Sequence, residues 1–107
     1  MLKAYAVSMP DTLTLEASRI RFYHESDERA FFEWLSRIPA VDHYEGAGDT
    51  LYIKLRRSPD RADLQELLAL FFRYGADLRQ FQPLVASEDR KWFSDTKSFW
   101  HASVFST

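Results

Sequence analysis

The chain has no cysteine, which removes disulfide scaffolds and every cysteine-ligated zinc or iron–sulfur centre. Glycine (three) and proline (four) are scarce, and no linker, internal repeat or low-complexity tract interrupts the sequence. No apolar run approaches the roughly 20 residues that span a bilayer, and no charged-then-apolar leader opens the chain. These absences predict a soluble protein in the cytoplasm with no membrane partner. An excess of either charge is also missing: 14 Lys+Arg stand against 16 Asp+Glu, a formal charge of −2. A general polyanion binder is thereby disfavoured, although a local basic patch is compatible with that balance.

What the sequence does contain is aromatic area. Aromatic residues make up 16% of 107 residues, with nine Phe and three Trp. A chain of this length fits one domain, 1–107, able to bury its own core. Residues 2–8 read as a strand broken at Met9, Pro10 and Asp11. Residues 12–16 alternate weakly and read as a second short strand or an extended arm. Residues 19–24 alternate more clearly, with Ile20 and Phe22 on one side and Arg19, Arg21 and Tyr23 on the other, which predicts a half-buried strand.

Ser26 is the expected cap of a first helix, with Asp27 and Glu28 suited to its positive end. Phe31, Trp34, Leu35 and Ile38 form one apolar stripe at i, i+3, i+4 and i+7, and Pro39 ends it. Residues 41–45 and 51–56 flank Gly46, Ala47, Gly48 and Asp49 as the arms of a hairpin. In the second arm Leu51, Ile53 and Leu55 turn inward and Tyr52, Lys54 and Arg56 outward. Ser58 and Pro59 are expected to open a second helix, with a stripe of Leu64, Leu67, Leu68 and Phe71 and a stop at Gly75. Leu70, Phe72 and Tyr74 widen that stripe beyond one face, and the aromatic C-terminal third is the expected cover. Residues 77–84 read as a final strand broken at Pro83, residues 87–93 as one helical turn, and residues 99–105 as extended.

This order predicts an α+β fold: an antiparallel sheet with two helices on one face, a split βαβ or ferredoxin-like sandwich, plus an aromatic-rich C-terminal extension. The same register points Arg19, Arg21, Tyr23, Tyr52, Lys54 and Arg56, with Tyr44, to the face without helices. That basic and aromatic set is the candidate binding surface. Cations neutralise phosphates and tyrosines stack on bases, so one reading is RNA binding. Others are a protein interface, or a face covered by the N-terminal arm or the C-terminal segment, with arginine stems beneath aromatic rings.

His24, His43 and His101 lack the convergent spacing of a metal site, so neither a metal nor another cofactor is expected. A His-dependent hydrolase or nuclease built on His24 or His43 stays open as a third function class. Gly46-Ala47-Gly48 joins two strands and opens no helix, so it reads as a turn and not as a phosphate loop. Asp42, Glu45 and Asp49 give the hairpin an acidic rim without the alternation of a calcium loop. No Gly-x-Ser-x-Gly elbow occurs.

The run Leu70-Phe71-Phe72-Arg73-Tyr74 with Asp77-Leu78, followed by Lys91-Trp92-Phe93 and Phe99-Trp100, resembles small uncharacterised bacterial α+β proteins over the C-terminal half. In size and aromatic content the chain is also similar to immunity proteins, which bind and block a toxin delivered by neighbouring cells. That resemblance implies a non-catalytic protein whose partner is a toxin domain. It would act by covering the toxin's active site while charged side chains set the approach.

Overall fold

The computed structural model describes residues 13–106. The strand expected over residues 2–8 lies outside them. The first strand, β1 (Thr14–Ser18), is followed by helix α1 (Glu25–Arg37), strands β2 (Val41–Ala47) and β3 (Thr50–Leu55), and helix α2 (Arg61–Tyr74). The chain then runs through 3-10 turns at Arg79–Leu84 and Ser87–Asp89 into two short helices, α3 (Arg90–Phe93) and α4 (His101–Phe105). The sheet is three-stranded and antiparallel in the order β1-β3-β2, so the α+β class holds and β3 is the central strand.

Five local expectations change. Residues 19–24 are not a strand; the strand beside β3 is β1. Arg19 turns the chain out of the sheet with a left-handed φ of 54°, and its N–H donates to the Asp49 carbonyl at 2.8 Å. Ile20 and Phe22 still pack against the core, but from a coil. Residues 77–84 form no strand, since most of the stretch is 3-10 and contains Pro83. Residues 99–105 are not extended but turn into α4. The caps also move. The His24 Nδ1, not Ser26, accepts from the Ser26 N–H at 3.0 Å. Asp60, not Ser58, caps α2 through a reciprocal box with Asp63, which satisfies two N–H groups the helix start would otherwise leave open.

The helix stripes come out as expected. Phe31 and Leu35 of α1 are buried, Ile38 follows at its C-cap, and Leu64, Leu67, Leu68 and Phe71 of α2 are buried with them. Gly75 ends α2 in the left-handed region at φ 76°, where a side chain would be strained. These residues share one core with Leu15, Ala17, Ile53 and Leu55. The inner face of the sheet is therefore the face the helices cover.

The C-terminal third packs where the surplus apolar width of α2 required it. Phe81 meets Phe71 edge to face at 5.1 Å, Phe99 meets Phe72 in the same way at 5.1 Å, and the Arg61 guanidinium lies over Trp92 at 4.9 Å. Phe93, Trp100 and Val104 are buried, and the Trp100 Nε1 donates to the Phe93 carbonyl at 2.9 Å. Gln82 ties α4 down by donating to the Val104 carbonyl at 2.9 Å.

One buried charge links the hairpin base to α2. Asp63 is 2% exposed and accepts from the Asp60 N–H at 2.9 Å, the Ala40 N–H at 3.3 Å and the Arg57 guanidinium at 2.5 Å. A buried carboxylate is tolerated only when its oxygens are occupied in this way.

Candidate functional site

The register of the hairpin decides which side chains share a face. Val41 pairs with Leu55, but His43, not Asp42, pairs with Lys54, so Asp42 is an extra residue on β2. Such a bulge reverses the alternation beyond it. Tyr44 and Gly46 consequently pair with Ile53 and Leu51 on the inner face, while His43 and Glu45 pair with Lys54 and Tyr52 on the outer face. The expectation that Tyr44 faces away from the helices is corrected here. Its ring lies 5.0 Å from that of Phe32 on α1.

The remaining members of the expected surface are also dispersed. Tyr52 and Lys54 do point outward, in rows with Glu16 and Glu45 and with Thr14 and His43. Arg56 is folded back onto the hairpin base, donating to the Pro39 and Val41 carbonyls at 3.0 and 2.6 Å and pairing with Asp42 at 3.3 Å. Arg19 pairs with Asp49 beside the hairpin turn at 3.3 Å. Arg21 and Tyr23 lie on the β1–α1 connection, beside Phe72 and Arg73, and Tyr23 is 81% exposed. The outer sheet face is therefore mixed in charge, and five of the seven residues lie elsewhere.

On the outer face His43 is bracketed by Asp42 at 2.8 Å and Glu45 at 3.6 Å. Among the described residues no group of three or more His, Asp or Glu side chains could hold a metal ion, and no helix is long and apolar enough to cross a membrane.

The inner face provides a different surface, which the sequence reading missed. The cross-strand row nearest the turn is Ala17, Leu51 and Gly46, two small residues around one leucine. With no side chain on Gly46 and only a methyl on Ala17, the helices do not fill this end of the sheet. A pit of about 300 Å³ remains, its walls including Phe22, Phe31, Phe32 and Leu51, with Arg19, Gly48 and Asp49 around it. The tight turn that forms its rim runs through Gly48, at φ 62°, a conformation hairpin turns assign to glycine.

From this pit a chain of touching rings leads to the surface. Phe31 meets Phe22, Phe32 and Tyr74 at 5.4, 5.1 and 4.9 Å, Phe22 meets Phe32 at 6.1 Å, and Phe32 meets Tyr44. Phe22 and Phe32 are half-buried and Tyr44 is 39% exposed. The coil that carries Phe22 is held by Asp27, which accepts from the Tyr23 N–H at 3.1 Å and the Tyr74 hydroxyl at 3.0 Å. Burial beneath these rings, together with Asp27, raises the Tyr74 pKa above its ordinary value. Beyond Phe32 the crevice continues into a shallow hollow between α1 and Tyr44, flanked by Arg29, Glu33 and Arg37.

No family model matches the chain, and neither a curated protein nor a solved structure is similar to it.

A larger groove of about 920 Å³ runs along β1 on the side away from β3, between Glu16 and the segment after α2. Several of its polar groups are already engaged within the protein. Gln80 donates to the Glu16 carbonyl at 2.9 Å and accepts from the Glu16 N–H at 2.8 Å, occupying the rung of β1 at Glu16. Arg79 is held by Asp77 at 3.0 Å, and that bond keeps the Asp77 carboxyl below its ordinary pKa. The crevice at α1 and β2 differs in kind, because Arg29 and Arg37 belong to none of the ion pairs among the described residues.

Proposed function

We propose that the chain is a non-catalytic domain that binds another protein, and that the α1–β2 crevice is its contact surface. The observation that carries this reading is the run of half-exposed rings, Phe22, Phe32 and Tyr44, emerging from the core beside two unpaired arginines. Aromatic residues and arginine are the side chains that supply most of the energy at protein interfaces. The rings are held by packing, so little ordering entropy is lost on contact.

The concrete form of the proposal is an immunity protein that occludes a toxin's active site, in keeping with the resemblance in size and aromatic content. The order β1-β3-β2 with α1 between β1 and β2 is consistent with three strands of a split βαβ sandwich, and Gln80 stands at the β1 edge where a further strand would pair.

The test is co-expression with the protein encoded beside this chain's gene. Growth rescue, a complex that survives gel filtration, and loss of both in Tyr44→Glu are the expected results. Failure to rescue removes the immunity reading. A complex indifferent to Tyr44→Glu removes the crevice.

A further inference from the structure

We infer that the pit under Gly46 is an anchor pocket for a partner segment that carries one large apolar side chain flanked by carboxylates. This deepens the protein-binding reading and rests on it. The pit is a consequence of residue size. On the inner face Gly46 and Ala17 stand on either side of Leu51, and a Cβ built on Gly46 would meet nothing within 4 Å. The space is apolar at its floor, where Phe22, Phe31 and Leu51 line it, and its volume of about 300 Å³ is at the small end of ligand sites, which run from about 300 to 1,000 Å³. One phenylalanine or leucine side chain is an occupant of suitable size and chemistry.

Charge specifies the flanks. Phe32 belongs both to the wall of the pit and to the neighbouring hollow of about 570 Å³, where Arg29 and Arg37 stand on the exposed side of α1. Glu33 lies between them, so the hollow carries one net positive charge. At the other rim Arg19 and Asp49 neutralise each other. A segment whose apolar residue enters the pit brings its neighbours over this cationic hollow. Carboxylates there gain two guanidinium partners that the free protein leaves unpaired, whereas lysines would be repelled.

The test is an NMR titration of the full-length ¹⁵N-labelled chain with three capped tripeptides: acetyl-Asp-Phe-Asp-amide, acetyl-Lys-Phe-Lys-amide and acetyl-Asp-Ala-Asp-amide. The expected result is saturable shifts at the Gly46, Gly48 and Leu51 amides with the first peptide. Binding of the second should be weaker by about fivefold or more at low salt, and the third should give no saturable shift. Gly46→Val places a side chain into the open space at a position whose φ is not left-handed, so the variant keeps its fold and should lose the titration. Arg29→Glu with Arg37→Glu should abolish the preference for the acidic peptide while leaving the pit itself occupied.

Equal affinity for the acidic and basic peptides, binding that survives Gly46→Val, or no saturable binding of any peptide overturns the anchor assignment. None of those results touches the protein-binding reading, which stands or falls on the Tyr44→Glu co-expression experiment. Conversely, failure of that experiment with a normal peptide titration overturns the protein-binding reading, and with it the partner segment as occupant, while the pit's preference for an apolar residue between carboxylates stands.

Discussion

Replacing Gln80 measures how the backbone of β1 is satisfied at Glu16. Its carboxamide makes two hydrogen bonds to the Glu16 backbone and a third to the Asp77 carbonyl at 2.6 Å, standing in for one residue of a neighbouring strand. Each such bond contributes about 0.5–1.5 kcal/mol net. The site is exposed, so water recovers part of the loss, and Gln80→Ala should cost about 1–2 kcal/mol. For a domain of this size that corresponds to a fall in melting temperature of about 4–8 °C per kcal/mol. Gln80→Glu should be at least as costly, because it sets a carboxylate against two carbonyl oxygens. Both variants also uncover a rung of β1 to which another chain can pair. Urea denaturation followed by Trp fluorescence gives the stability, and sedimentation across a concentration series gives the association. Unchanged midpoints and unchanged sedimentation in both variants would refute the edge-capping account.

Further outcomes follow from the core and the buried charge. Asp63→Ala leaves the Ala40 and Asp60 N–H groups without this acceptor and takes from the half-exposed Arg57 its shortest partner, and should cost about 2–3 kcal/mol; a loss below about 1 kcal/mol contradicts that network. Phe93→Ala empties a fully buried site between Trp100 and Phe105 and should cost about 3–5 kcal/mol, readable by calorimetry; a near-neutral result would detach the C-terminal segment from the core. Asp60 and Asp77 both have folded pKa values below their ordinary 3.8, the first through the Asp63 N–H and the second through Arg79. Their stabilisation is therefore complete above the unfolded value and is lost as pH falls through the folded ones. Asp77→Asn should flatten the acid limb of a stability–pH profile below about pH 4, and a profile identical to the parent would count against the Arg79 bond.

The helices were legible because a period of 3.6 survives in the sequence wherever one face of a helix is buried. Pro39 and Gly75 fixed where they stop. The hairpin and the inward turn of Ile53 and Leu55 were legible for the corresponding reason at period 2. The strand beside β3 was misplaced because Ile20 and Phe22 alternate with arginines in a coil as regularly as they would in a strand. Only the turn at Arg19 and the pairing of Leu15 with Ile53 separate the two possibilities. The expected face was divided for two reasons: Arg19, Arg21 and Tyr23 lie in the coil after β1, and at Asp42 a single extra residue reverses Tyr44 and every later side chain of β2, which no residue type announces. The pit was hidden for a related reason: Gly46 reads as part of a turn until the register places it opposite Leu51. In the C-terminal third, 3-10 turns and helices of four and five residues are too short to impose a period on their aromatic residues.

The claim on which the functional account turns is that the bulge sends Tyr44 to the helix side of the sheet. A ¹³C-edited NOESY spectrum of the full-length chain tests it directly. The account predicts cross-peaks between the rings of Tyr44 and Phe32, with His43 and Glu45 instead near Lys54 and Tyr52. Cross-peaks from the Tyr44 ring to the Lys54 or Tyr52 side chains, with none to Phe32, would contradict it.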